Sequence, residues 1–174
     1  MHKQNLYLIQ IDNKSCKQKP NGSVIGQIKK RVQGSEPKLV TLEQLKRIIE
    51  SGVTFSPGIL QGGLKAENWV QQQIFCVDID NDEDNIPIMS ISEALQICEK
   101  HEIEPLLYYP SFSDTTEKPK FRLIFAMDEI ITNPSKRAFI AETLVSLFPQ
   151  ADKSCVNADR IFFGTDKEVK IYDN

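Results

Sequence analysis

The chain has 174 residues, of which 40% are apolar, and its 21 Lys and Arg against 24 Asp and Glu give a formal net charge of −3. This length suits one substantial domain, or a domain with a modest extension. No segment approaches the roughly 20 apolar residues that span a bilayer, and the first residues lead into no signal-peptide hydrophobic region. These features predict a cytoplasmic protein with no membrane partner.

The charges are distributed unevenly along the chain. Residues 1–70 carry 11 Lys and Arg against 5 Asp and Glu, whereas residues 71–174 carry 10 against 19. A basic segment suits the binding of a polyanion, and an acidic one can concentrate metal ions. We therefore predict a basic N-terminal α/β module over residues 1–70 that packs against an acidic core over residues 71–174, the two together forming one compact domain.

The four cysteines are scattered, and two of them lie in apolar periodic segments: Cys16, Cys76, Cys98 and Cys155. This pattern favours buried free thiols over disulfides. Cys98 and His101 have the spacing of metal ligands, but no second close pair completes a tetrahedral set. We therefore do not expect structural zinc.

The basic segment begins with a strand predicted over residues 6–11. Residues 24–32 fit more than one type of element, and they contain three consecutive cations. These are either contacts for the phosphates of a nucleic acid or a solvated edge: Lys29, Lys30 and Arg31. Thr41, with Gln44 three residues later, forms the capping-box start of a helix.

Residues 55–65 contain several glycines and one lysine, Lys65, and predict a loop. A Walker A motif is excluded because Leu64 separates the last glycine from Lys65 and Ala66 follows it. Glycines allow a backbone to approach a ligand or a template closely. Lys65 is therefore a further candidate contact for nucleic acid.

Residues 74–81 form an apolar, β-favouring run that ends in two carboxylates, Asp78 and Asp80. Alternate side chains of a strand share a face, which places these two carboxylates roughly 6 to 7 Å apart. Such a pair suits a hard divalent cation. The alternative is a solvated acidic turn over residues 80–85. An EF-hand is excluded because its required glycine and its final glutamate are both missing.

Beyond this run, helices are predicted to begin at Ser92 and at Asn133, and strands over residues 106–109, 121–127, 161–164 and 169–172. The order from residue 74 is β-α-β-β-α-β, which predicts an α+β protein with a ferredoxin-like (RRM-like) core. In that arrangement the opening strand lies between the third and the fourth strand. Its end would then meet three polar groups of the later chain: Arg122, Asp152 and Arg160.

This convergence has a chemical meaning. Two metal ions held by two or three carboxylates can activate a hydroxyl and stabilise a leaving pyrophosphate, and Asp78, Asp80 and Asp152 can supply the carboxylates. A triphosphate also needs cations and hydrogen-bond donors. The candidates for these contacts are Ser111, Ser113, Lys120, Arg122 and Arg160.

The motifs over residues 77–81, 109–113 and 121–125, followed by Asp152 with Arg160 and Gly164, resemble the archaeo-eukaryotic primase superfamily. The resemblance spans roughly residues 55 to 165 and is strongest to the primase–polymerase domains of phage, plasmid and mobile-element replication proteins. It implies that Asp78, Asp80 and Asp152 are catalytic and bind two Mg²⁺ or Mn²⁺ ions. It also implies a single-stranded DNA template, nucleoside triphosphates, and a replicative helicase, fused or separate, as partners.

The chain departs from that family in one motif. The family's second motif usually ends in a histidine that binds the nucleotide phosphates, and no histidine stands in that region here. Arg122 or Lys120 would have to take its role.

The predicted function is that of a DNA primase, a DNA polymerase or both, which transfers nucleotides from triphosphates to a 3′-hydroxyl and releases pyrophosphate. One alternative is a non-catalytic replication initiator or single-strand-binding module, which would present sheet aromatics such as Phe75, Phe121 and Phe125 to bases. Another is a metal-dependent nuclease that uses the same carboxylates.

Overall fold

The computed structural model of the chain describes residues 5–63 and 65–173. Within these residues it is an α+β protein with two antiparallel sheets and four α-helices. The strands are β1 (Leu6–Ser15), β2 (Lys38–Thr41), β3 (Val53–Ser56), β4 (Gly58–Leu60), β5 (Trp69–Ile79), β6 (Leu107–Pro110), β7 (Phe121–Ile131) and β8 (Lys170–Ile171). The helices are α1 (Gly22–Gln33), α2 (Leu42–Glu50), α3 (Ile91–Lys100) and α4 (Pro134–Ser146).

The first sheet has the strand order β2-β1-β3 and carries α1 and α2. The ambiguous residues 24–32 lie in α1, where Asn21 caps the first turn by accepting a hydrogen bond from the amide of Val24. Ile28 and Val32, four residues apart, are fully buried on one face of this helix. The capping box predicted for α2 is confirmed.

The second sheet has the order β4-β5-β7-β6-β8, and β5 and β7 form its longest pairing. In that pairing Asp78 lies opposite Arg122. Helix α3 connects β5 to β6, and α4 follows β7. The boundary that the charge distribution indicated at residue 70 falls inside β5, and β4 from the basic segment is an edge strand of this sheet.

Both faces of β5 are covered. Phe75, Val77 and Ile79 point to one face and join a core cluster with α3 and α4. Ile74 and Cys76 point to the other face and join a cluster with residues of the N-terminal sheet and α2. Because alternate strand residues share a face, Asp78 lies on the side of the N-terminal module. This double coverage explains why β5 reads as a continuous apolar run.

The loop predicted over residues 55–65 is wrong for its first half. Phe55 and Ser56 end β3, and residues 58–60 form β4, paired antiparallel with β5. Gly58 lies so close to Trp69 and to the carbonyl of Ala158 that a Cβ would meet both at 3.0 Å. Its glycine therefore serves a close approach inside the sheet, not a turn.

Two further local predictions are corrected. The cap of α3 is Ser90, not Ser92, because Ser90 forms a capping box with Glu93. Residues 161–164 are not a strand of the second sheet: Phe162 forms an isolated bridge with Phe55 of β3, and β4 occupies the position beside β5. A short loop connects β4 to β5, so the loss of chain entropy on pairing these two strands is small. This explains why β4 occupies the position beside β5.

The predictions for the cysteines and for the start of the last helix can also be compared with the structure. Cys76, Cys98 and Cys155 are buried free thiols. Helix α4 begins after Asn133 as predicted. The side chain of Asn133 accepts a hydrogen bond from the amide of Lys136. None of the helices in residues 5–63 and 65–173 combines the length and the apolar composition that crossing a bilayer requires.

The shared core predicts that both sheets unfold together. Ile49 of α2 is fully buried in the cluster that also contains Ile74 of β5. Ile49→Ala should lower the free energy of unfolding by about 2–5 kcal/mol, and it should shift the urea transitions of far-UV circular dichroism and of the fluorescence of Trp69, the single tryptophan, equally. Leu39→Ala, at a side chain that is 62% exposed, is the control. An unchanged Trp69 transition in Ile49→Ala would contradict a common core.

Candidate functional site

The candidate site is built where the chain segment before Asp152 runs alongside the end of β5. The amide of Asp152 donates to the carbonyl of Asp78 at 2.8 Å, and the amide of Asp80 donates to the carbonyl of Gln150 at 3.2 Å. Ile79 and Ala151 form an antiparallel bridge between these bonds. Backbone pairing therefore places Asp152 beside the two aspartates of β5.

The three carboxylates that the sequence singled out come together. One oxygen from each of Asp78, Asp80 and Asp152 lies within 4.8 Å of the others. Asp78 is buried, and the other two are partly exposed. The Oδ1 atom of Asp78 has no hydrogen-bond partner among the residues described, although it is buried. An all-oxygen set with an unsatisfied buried acceptor suits a hard divalent cation such as Mg²⁺ or Mn²⁺.

Arg122 is the most deeply held cation of the site. Its Nη2 lies 3.1 Å from Oδ2 of Asp78, and its Nη1 donates to the carbonyl of Phe163 at 2.8 Å. The guanidinium also lies 5.7 Å from the ring centroid of Tyr109. Burial alone would lower the pKa of Arg122, but the interactions with Asp78 and Tyr109 together outweigh it and raise that pKa above its usual range. Arg122 is therefore a permanent positive charge.

Two further cations contact the carboxylates. Nη2 of Arg160 lies 2.7 Å from Oδ2 of Asp152 and 3.6 Å from Oδ2 of Asp78. Nζ of Lys120 lies 3.6 Å from Oδ1 of Asp80 and makes shorter bonds, of 2.9 and 3.0 Å, to Asp82. Within the acidic run after β5, Asp82 thus serves as a partner of Lys120 at the rim of the site.

Cys155 contacts the site through its thiol. The backbone amide of Asp78 donates to Sγ of Cys155 at 3.3 Å. Burial, together with the nearby charge of Asp78, raises the pKa of Cys155 to about 12. Cys155 is therefore a neutral thiol at physiological pH, which suits a structural acceptor and not a nucleophile.

A cleft of about 110 Å³ opens beside the carboxylates. Ser111 and Ser113, two of the predicted triphosphate contacts, line it together with Arg122 and Arg160. Ser111 is buried, and its hydroxyl accepts a hydrogen bond from the amide of Ser113 at 3.3 Å. Lys120 lies next to the carboxylates of the site, because it contacts Asp80.

The sequence did not single out three of the residues that line this cleft: Lys19, Phe112 and Phe163. Lys19 lies in the polar loop after β1 and is exposed. The sequence shows that this loop is basic, like the rest of the N-terminal module. Nothing in the local sequence distinguishes Lys19 from Lys14 or Lys17 in the same loop. Only the packing of the N-terminal module against β5 identifies it.

A second cleft, of about 310 Å³, shares Arg122, Arg160 and Phe163 with the first and is also lined by Lys29 of α1. The other predicted nucleic-acid contacts do not line either cleft. Lys30 is exposed on α1, and Lys65 is exposed beside Glu67 at 3.6 Å. Arg31 forms a two-bond ion pair, at 2.6 and 2.8 Å, with the buried Asp12 of β1, so its guanidinium holds α1 onto the first sheet.

The chain was compared with known proteins by sequence and by structure. No protein-family model, curated protein or solved structure matches it. The geometry of the site is therefore the basis for assigning a function.

The two partly exposed carboxylates should affect stability in opposite directions. Burial, then the charge of Asp78, raises the pKa of Asp80. Burial would also raise the pKa of Asp152, but hydrogen bonds from Ser154 and the charge of Arg160 outweigh it and lower that pKa. Ionised Asp80 thus disfavours the folded state, and ionised Asp152 favours it.

In metal-free buffer at pH 7, we expect Asp80→Asn to raise the free energy of unfolding and Asp152→Asn to lower it. The gain in Asp80→Asn should disappear as the pH falls through the folded and then the unfolded pKa of Asp80, because the wild-type carboxyl becomes protonated. The loss in Asp152→Asn should vanish at a lower pH, below the depressed folded pKa of Asp152. Urea unfolding between pH 2 and pH 7 measures both, and changes of equal sign at pH 7 would contradict the assignment.

Proposed function

We propose that this chain is a DNA primase or polymerase domain that transfers nucleotides from nucleoside triphosphates to a 3′-hydroxyl on a single-stranded DNA template. The proposal rests on one observation. Carboxylate oxygens of Asp78, Asp80 and Asp152 lie within 4.8 Å of one another, and Arg122 and Arg160 line the cleft beside them. Phosphoryl transfer needs this combination, because the cation ligands and the phosphate ligands must act on the same group.

The fold supports the same proposal. The order β5-β7-β6, with α3 as the connection between β5 and β6, is the order that a ferredoxin-like core requires of its first three strands. We therefore propose that residues 71–174 form a core of that type, in which β4 from the N-terminal module takes the fourth-strand position beside β5, and that the chain is related to the archaeo-eukaryotic primase superfamily. A replicative helicase, fused or separate, is the partner that this assignment implies.

The side chains divide the work of binding. Asp78, Asp80 and Asp152 would hold Mg²⁺ or Mn²⁺, which when bound supplies Lewis-acid stabilisation of the phosphoryl charge. Arg122 is positioned by Asp78, Phe163 and the ring of Tyr109, and it would bind a phosphate oxygen without needing to reorganise. Ser111, Ser113 and Arg160, which line the cleft, and Lys120, which contacts Asp80, would orient the remaining phosphates, together with Lys19 of the same cleft. Lys29, in the second cleft, would contact the nucleic acid backbone.

The buried aromatics disfavour a module that only binds single strands. Phe75, Phe121 and Phe125 are at most 2% exposed and lie in the core cluster under α3 and α4. They are therefore not available for stacking on bases. The several cations beside the carboxylates suit a triphosphate better than a single phosphodiester, and this supports the proposal of nucleotidyl transfer over hydrolysis.

Synthesis on a single-stranded template, with and without a primer and with Mg²⁺ or Mn²⁺, tests the proposal. Asp78→Asn and Asp80→Asn should each reduce incorporation by at least about a hundredfold, since each removes a charged ligand of the divalent cation that stabilises the reacting phosphoryl group. Asp84→Asn, in the exposed acidic turn just beyond the site, is the matched control and should incorporate at the wild-type rate.

Undiminished extension by Asp78→Asn or Asp80→Asn would reject the assignment. Degradation of labelled DNA in the absence of nucleotides would identify a nuclease instead. Binding of single-stranded DNA that is identical with and without Mg²⁺, and no binding of nucleotide, would identify a non-catalytic module.

A further inference from the structure

The charges of the site are already balanced without a metal ion. Among the residues described, each carboxylate has a cationic contact: Asp78 with Arg122, Asp80 with Lys120 and Asp152 with Arg160. A divalent cation that entered this arrangement would add two positive charges close to three existing ones. Such repulsion is strong where burial lowers the effective dielectric constant, as it is at Asp78. A cation can therefore bind well only if a resident cation leaves or an anion accompanies it.

The oxygens of Asp152 are also occupied. Its Oδ1 accepts hydrogen bonds from the amide and the hydroxyl of Ser154 at 2.8 and 2.7 Å, and its Oδ2 accepts from Arg160 at 2.7 Å. Oδ1 of Asp78, in contrast, has no partner among the residues described. Of the carboxylates, Asp152 is thus the one with both oxygens engaged by other groups, and the departure of Arg160 would open its Oδ2 to a cation.

The structure distinguishes Arg160, which can change partner, from Arg122, which cannot. Arg122 is 7% exposed and is fixed by Asp78 and by the carbonyl of Phe163. The side chain of Arg160 is 29% exposed and lines both clefts. Besides Asp152 it contacts the hydroxyl of Ser154 and lies 5.8 Å from the ring centroid of Phe162, so its guanidinium can turn toward a cleft by giving up these contacts. Arginine binds phosphate oxygens with two parallel hydrogen bonds, as it binds carboxylates. A phosphate chain in the first cleft would therefore be an equivalent partner for Arg160.

We propose that Arg160 exchanges partners: it pairs with Asp152 in the free protein and moves to the phosphates of an incoming triphosphate, which releases Asp152 to ligate the divalent cation. This inference rests on the proposed function, because a triphosphate is the ligand that this function supplies. The site then binds a cation–triphosphate complex much more tightly than either component alone. By linkage, each component increases the affinity for the other by the same factor.

Calorimetric titration of the whole chain tests the exchange with three probes: Mn²⁺ alone, inorganic triphosphate in EDTA, and the preformed Mn²⁺–triphosphate complex. The wild type should bind the complex at least tenfold more tightly than Mn²⁺ alone, within the usual range of coupling between sites. Arg160→Gln should bind Mn²⁺ alone about tenfold more tightly than the wild type and triphosphate alone more weakly. Arg160→Lys, which keeps the charge, should stay close to the wild type with Mn²⁺ alone.

Arg47→Gln is the matched control, because it removes the same charge from an exposed position on α2 that lines neither cleft. It should leave all three affinities unchanged. An Arg160→Gln variant that binds Mn²⁺ no more tightly than the wild type would overturn the proposal. The wild-type titration decides the question even if that variant does not fold, since equal affinity for Mn²⁺ and for the complex would also overturn it.

The failure of this inference can be distinguished from the failure of the proposed function. If the wild type does not synthesise DNA but binds Mn²⁺ and triphosphate cooperatively, then the function is rejected and the exchange stands. If it synthesises DNA but Arg160→Gln leaves Mn²⁺ binding unchanged, then the function stands and the exchange is rejected.

Discussion

Mutual repulsion among Asp78, Asp80 and Asp152, whose oxygens lie within 4.8 Å of one another, is the constraint that the surrounding structure satisfies. Arg122 lies opposite Asp78 in the β5–β7 register and neutralises the buried member. Removing one partner of such a buried pair typically costs about 3–5 kcal/mol, because the remaining charge is left uncompensated. The ion pairs therefore hold the carboxylates in the folded protein at close range in the absence of a metal.

The fold brings these groups together by covering β5 on both sides. Helices α3 and α4 pack on one face, and the N-terminal module packs on the other, toward which Asp78 points. The same module delivers Lys19 and Lys29 to the two clefts that flank Arg160. Under the proposed function, the cations that neutralise the carboxylates would also bind the phosphates of the substrate, and their structural and binding roles would coincide.

Local patterns predicted much of this arrangement, and long-range pairings account for the rest. The period of two along β5 placed Asp78 and Asp80 on one face, and the predicted strand order brought Arg122 to the end of that strand. The role of Gly58 in β4 could not be predicted, because it depends on the ring of Trp69. The pairing of Arg31 with Asp12 joins residues 19 positions apart through the packing of α1 on β1, which no short motif encodes.

The most direct measurement of the central claim is a crystal structure of the chain with Mn²⁺ and a non-hydrolysable nucleoside triphosphate, with the ion located by anomalous diffraction. We predict Mn²⁺ at about 2.0–2.3 Å from oxygens of Asp78, Asp80 and Asp152, with the triphosphate against Arg122 and with Arg160 turned from Asp152 to a phosphate. Mn²⁺ bound away from these carboxylates, or a triphosphate outside the cleft lined by Ser111 and Ser113, would contradict the claim.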